Sequence, residues 1–166
     1  MKAAFNILPV INENERLHLL LEAGDYGISF TWFTKDPLDV KGLAVYNFTA
    51  ATSAAEKAIE LENILASNAV FKAQNESVHI CYDFKESILI PAVFYKPGTE
   101  KALLELMHDT DNDSNIKCES IADKYNIYAV DNKLESLLLN RFPGAKTNHS
   151  TTLQLQNGFP AGDQLF

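Results

Sequence analysis

The stretch LLLEAGDYGISFTWF, residues 19–33, holds the residues nearest to chemistry in this chain. A glycine-bracketed turn between two strands can offer backbone amides to phosphate oxygens, and an acidic side chain beside it can organise a metal ion. Glu22, Gly24, Asp25 and Gly27 are the residues such a nucleotide site would use. Charge argues against it. No Ser, Thr, Lys or Gln follows Gly24 in the turn, and the next hydroxyl, Ser29, already lies in the second strand. An acidic loop without a cationic or hydroxyl donor repels a triphosphate, which is itself anionic. The expectation is therefore a plain hairpin with glycines placed for positive φ, and a cofactor-binding role for these four residues only under an alternative reading.

Other constellations are thinner. A two-metal nuclease needs carboxylates from the first strand, the first helix and the next strand, and Glu22, Glu60 or Glu62, and Asp83 fall on those elements. Helix glutamates usually face solvent, however, and Asp83 in YDFKES suits a turn equally well. The run DTDNDSNIKCES places Asp109, Asp111, Asp113 and Asn115 at alternate positions, as a calcium loop would. It has Ser114 where glycine must make the sharp turn and Ser120 where a bidentate glutamate is required, so a polar connection is expected. His18, His79, His108 and His149 share no short ligand spacing, and hydrogen-bonded structural histidines are expected. No glycine-flanked serine or cysteine marks a nucleophile. No catalytic residue, metal site or cofactor is assigned.

The 166 residues carry 14 Lys and Arg against 22 Asp and Glu, a formal charge of −8. That balance opposes binding to a phosphate backbone, so no nucleic-acid partner is expected. No window has the roughly 20 apolar residues of a membrane helix. Cys81 and Cys118 each sit in a strand-like run and read as buried free thiols, which with the lack of an export pattern points to the cytoplasm. The sequons at Asn47, Asn75 and Asn148 then have no chemical meaning.

These residues must be positioned by the elements around them. Residues 1–14 read as a loosely structured arm, 15–156 as one domain, and 157–166 as a flexible tail. Residues 17–23, 28–34 and 40–48 alternate as three strands joined by short turns, which makes an antiparallel meander. Ser53 and Glu56 form a capping box ahead of the stripe Ala58, Leu61, Ile64 and Leu65, which predicts a helix. SVHICYDF returns to strand alternation, and SILIPAVFY is apolar enough for burial although Pro91 bars a central strand. TEKALLELMHD predicts a helix with Leu103, Leu106 and Met107 on one face. IKCESIA and IYAV read as a hairpin, and Asn132 with Glu135 as the capping box of a third helix ended by FPG. STTLQLQ reads as one more strand.

Three antiparallel strands followed by strand–helix crossovers give a mixed sheet covered by helices, the ribonuclease H-like layout shared by the halves of actin-like ATPases. The segments LLLEAGDYGISFTWF, SVHICYDFKESILIPAVFY and NIYAVDNKLESLLLNRFPGAKTNHST also resemble an uncharacterised Bacteroidetes family, domain of unknown function 3822. The resemblance spans roughly residues 15–155 and implies an actin-like ATPase fold rather than a reaction. Members of that family run on into a second lobe, and this chain stops after STTLQLQ, which implies a fragment or a one-lobed relative. In actin-like ATPases the first hairpin carries Asp-x-Gly followed by hydroxyl residues, whereas Glu22, Ala23 and Gly24 stand there in this chain. The reading is a non-catalytic domain with a degenerate nucleotide site that binds a protein partner or its own copies. The alternative is an ATP-binding lobe completed by a second lobe or partner, and the third is a metal-dependent ribonuclease H-like nuclease.

Overall fold

The computed structural model describes residues 2–10, 12, 15–48, 53–110 and 113–156. The expected meander is present: β2 (His18–Gly24), β3 (Gly27–Lys35) and β4 (Leu38–Asn47) pair antiparallel in sequence order. Strict alternation builds it. Ile28, Phe30 and Trp32 of β3 are buried, while Ser29, Thr31 and Phe33 turn to the other face and are only half-buried. The loose arm expected at the N-terminus is corrected, because β1 (Lys2–Ile7) pairs antiparallel with β4 and becomes the sheet edge. Backbone pairing along β4 is what orders it. The tail expected over 157–166 lies outside the described residues.

The capping box forms as the sequence predicts: the Ser53 amide donates to Glu56 Oε2 at 2.8 Å, and the Glu56 amide donates to Ser53 Oγ at 3.3 Å. It opens α1 (Ala54–Ser67), which carries the chain across to β5 (Ser77–Asp83), parallel to β2. The chain then leaves this sheet. β6 (Ser87–Pro91), β7 (Ser114–Ile121) and β8 (Lys124–Asp131) form a separate antiparallel sheet in the order β6-β8-β7, where a single mixed sheet was expected. Pro91 ends the edge strand β6, where its missing amide breaks no ladder. SILIPAVFY is not buried throughout: Leu89, Val93 and Phe94 are exposed.

Between β6 and β7, α2 (Glu100–Glu105) is shorter than predicted. Leu104 is its buried residue, and Leu106 and Met107 lie beyond its last turn and are exposed. α3 (Asn132–Arg141) follows β8 and leads to β9 (Lys146–His149), which adds parallel to β5 and completes the order β1-β4-β3-β2-β5-β9. STTLQLQ is α4 (Ser150–Gln156), not a strand: the hydroxyl of buried Thr152 accepts from Asn126 Nδ2 at 3.1 Å. Leu61 and Leu65 of α1 and Leu134 and Leu138 of α3 share one buried cluster with Leu21, Phe30 and Ile80 of the sheet.

The predicted capping box of α3 does not form, and the cap lies one residue earlier. Asp131 is the cap, its Oδ1 accepting from the Leu134 amide at 2.8 Å, and Asn132 is already helical. Glu135 does not reach back but turns inward, with its side chain 6% exposed. Lys117 Nζ lies 2.5 Å from Glu135 Oε1, and Asn115 Nδ2 donates to Oε2 at 2.7 Å. A buried carboxylate left without its cation is strongly destabilising, whereas apolar replacement of both partners is close to neutral. Lys117→Met is therefore expected to lower stability by about 3 kcal/mol in urea unfolding, and Lys117→Met with Glu135→Leu to regain most of it.

Candidate functional site

The turn between β2 and β3 is a joint. Gly24 pairs with Asp83 across the parallel ladder, so near it that a Cβ would sit 2.6 Å from the Asp83 carbonyl oxygen. A Cβ on Gly27 would sit 2.4 Å from the Tyr46 carbonyl oxygen. Neither glycine has positive φ, which corrects the expectation; among the described residues those with it are Ala122, Gly98 and Gly144. Glycine is needed here because neighbouring strands leave no room for a side chain.

Three acceptors of the turn are committed to the fold. Asp25 Oδ2 accepts from the Lys85 amide at 3.1 Å, and its carbonyl accepts from Lys57 Nζ at 3.1 Å. The Tyr26 carbonyl accepts from the Phe48 amide at 2.8 Å. Below the turn lies a shallow cavity of about 250 Å³ bordered by Glu22, Asp25 and Asp83, with no Lys, Arg or His in its lining. A second crevice of about 210 Å³ lies beside it, where Asp25, Glu86, Asp109 and Asp131 meet one cation, Lys57. Lys57 also sits over the Phe48 ring at 5.2 Å. Both hollows are acidic. The sequence marked the charge of the turn but missed the crevice, whose carboxylates come from four separate segments.

The carboxylates of the nuclease reading divide between two faces. Glu22 and Asp83 do share one face of the sheet and one cavity, since their strand neighbours Ala23 and Tyr82 point into the core. Glu60 and Glu62 are on α1, whose Leu61 and Leu65 belong to that core on the opposite face. Among the described residues no three His, Cys, Asp or Glu are arranged to hold a metal ion. The calcium-like run does not form one loop either, because Asn115 is in β7 with its amide on Glu135; Asp111 lies outside the described residues.

Between Glu22 and Asp83 lies Cys81, buried, its thiol pushed up to about 12 by burial first and then by Glu22, Asp83 and Glu119. A thiol so protonated is a poor nucleophile. Cys118 is exposed, contrary to expectation, since the second sheet turns it outward. The histidines are hydrogen-bonded within the fold: His18 Nδ1 is 2.7 Å from Ser77 Oγ, and His79 Nε2 is 3.0 Å from Asn148 Oδ1. His149 is buried, its Nδ1 accepting from the Thr151 amide at 3.2 Å and its Nε2–H donating to the Phe84 carbonyl at 3.1 Å. Burial holds its pKa below the ordinary 6.5 against the opposing pull of the Phe84 carbonyl, Glu119 and Asp83.

Comparison with known proteins gives a family and a fold. The family model for "Protein of unknown function (DUF3822)" matches residues 10–158. The chain belongs to that family. A Bacteroides thetaiotaomicron protein with actin-like ATPase fold and unknown function superposes on the DUF3822 chain with a TM-score of 0.72 at 15% identity, covering 84% of this chain and 54% of that one. The DUF3822 chain thus shares that fold, and spans about half the neighbour's length. The cytoplasmic domain of EpsL, an inner membrane component of the type II secretion system of Vibrio cholerae, matches at 13% identity and a TM-score of 0.40, over 80% of this chain and 53% of that one. A PilM–PilN type IV pilus biogenesis complex matches at 14% identity and a TM-score of 0.43, over 80% and 46%. No curated protein matches the sequence. No helix among the described residues is long and apolar enough to cross a membrane.

Two outcomes follow from the geometry. Gly24→Ala is expected to destabilise the DUF3822 chain by about 2 kcal/mol through overpacking, and Gly24→Asn to be no better, whereas a left-handed position would tolerate Asn. Thermal unfolding of both variants decides it. His149 binds its proton more weakly folded than unfolded, so its contribution is complete above about pH 6.5 and is lost as pH falls toward the folded pKa. Stability curves between pH 8 and pH 5, on the order of the range histidine titrates, should flatten in His149→Gln relative to the wild type.

Proposed function

We propose that this chain is a non-catalytic protein-binding or assembly domain, a ribonuclease H-like variant of the actin-like fold with residues 15–156 as its body and a degenerate nucleotide site at Glu22, Gly24, Asp25 and Gly27. The observation that carries the reading is an apolar row on the sheet face turned away from α1 and α3. Register places Ile7, Leu43, Thr31 and Leu20 side by side across β1, β4, β3 and β2, with Phe5 and Val45 in the adjoining row. Phe5, Ile7 and Leu20 are 45%, 58% and 38% exposed. Contiguous apolar surface of this kind is what protein partners cover. The acidic hollows support the non-catalytic half of the reading, since a phosphate chain there would face carboxylates with one lysine to offset them. A cytoplasmic protein, with a second copy or another protein as partner, fits this surface.

One observation favours the alternative, an ATP-binding lobe completed by a second lobe or partner: Lys57 Nζ stands at the crevice beside the first turn. Magnesium-ATP distinguishes the two. Calorimetric titration and thermal shift should show no binding for the wild type, and a saturable shift abolished by Lys57→Ala would establish the alternative. In the positive test, the complex the chain forms with itself or a co-purified protein should protect β1, β4, β3 and β2 from hydrogen exchange. Leu20→Glu should dissociate it. A wild-type monomer at every concentration, with no protection on this face in any complex, overturns the proposal.

A further inference from the structure

The helical side of the molecule carries a second surface of different chemistry. α1 and α3 lie side by side, and between them runs an open groove of about 630 Å³. Its apolar floor is Leu65, Ala66 and Leu137. Lys72, Lys133 and Arg141 stand along its rim against a single carboxylate, Glu62. In a chain with a formal charge of −8 this is a local reversal of sign.

The cations are not consumed by the fold. Among the described residues neither Lys72 nor Lys133 is within ion-pair reach of a carboxylate, in contrast to Lys41, which is held by Glu15 and Asp39. Arg141 donates from Nη2 to the Phe71 carbonyl, which fixes the guanidinium at the groove, while its Nε is buried without a hydrogen-bond partner. A carboxylate arriving from outside is the group best able to pair with cations held this way. The groove is thus an apolar trough with unpaired positive charge along its sides.

From this geometry we infer that the α1–α3 groove is a docking site for an acidic amphipathic helix of a protein partner, on the side opposite the apolar sheet row. This rests on the protein-binding reading above and names a second surface for it. The trough receives large aliphatic side chains repeating at i, i+4 and i+7, and glutamates or aspartates flanking that stripe meet Lys72, Lys133 and Arg141. The chain's own net negative charge repels such a partner elsewhere on its surface, so the rim selects the place as well as the sign.

The probe is a synthetic helical peptide with leucines at i, i+4 and i+7 between glutamates, together with a twin carrying lysine at every glutamate position. Titration of the labelled full chain, followed by fluorescence anisotropy and by amide shifts, should show the acidic peptide binding and moving resonances of α1 and α3. Its affinity should fall with added salt. Lys72→Glu with Lys133→Glu should weaken it by about tenfold or more, and because both side chains are exposed and unpaired the variant should unfold at the wild-type temperature. Equal binding of the lysine twin, or no binding of the acidic peptide at millimolar concentration, overturns the groove assignment. Amide shifts confined to β1–β4–β3–β2 also overturn it while leaving the protein-binding reading standing. Loss of every complex in the previous experiment removes that reading instead.

Discussion

The structure depends on the parallel pairing of β2 with β5. Seven residues stay in register, from His18 opposite Ser77 to Gly24 opposite Asp83. A parallel pair needs a crossover, and α1 provides it, burying Leu61 and Leu65 on the sheet it connects. β5 then supplies the edge on which β9 is laid, and the excursion between them carries the whole second sheet and α3. Without this ladder the meander would end in an open edge at β2. The steric requirement at Gly24 follows from the same closeness of the two backbones.

That closeness also decides what the first turn does. In an open hairpin the carbonyls and carboxylate at the tip would be available to a ligand. Here Asp25 takes a hydrogen bond from Lys85, just beyond β5, and one from Lys57, in the first turns of α1. Asp25, a residue of the candidate nucleotide turn, thereby fastens the two ends of the crossover to the hairpin. Its remaining neighbours are carboxylates on several segments, and their mutual repulsion is tolerable because the hollows are open to water. Fastening and charge act together, the one occupying acceptors of the turn, the other repelling anions.

How much of this was legible follows from the range of each interaction. The meander and α1 were readable because period-two and period-3.6 patterns and a capping box are local. β9 was not, since Lys146–His149 is four polar residues with no alternation, and only the vacant edge of β5 makes it a strand. STTLQLQ alternates like a strand yet coils, because β9 has already taken the edge and Thr152 finds Asn126. Asp131 and Asn132 are equally good caps by residue type, and the choice between them is made by Lys117 and Asn115, which draw Glu135 inward. At the candidate site the sign of the charge could be read from Glu22 and Asp25. The reason for the glycines could not, because it lies 59 residues away in β5 for the pair Gly24 and Asp83.

The two outward surfaces are joined by continuous packing. Arg141, at the groove, holds the Phe71 carbonyl; the Phe71 ring packs against Phe30 at 4.9 Å and Trp32 at 5.5 Å; and between those two residues β3 turns Thr31 to the apolar row. Close-packed interiors deform little, so a path of this kind keeps the groove and the sheet row at a fixed separation and angle. A domain that held one partner on each side would thereby set their relative orientation without moving. The first turn, bonded to both ends of the α1 crossover, is fixed to the same packed body.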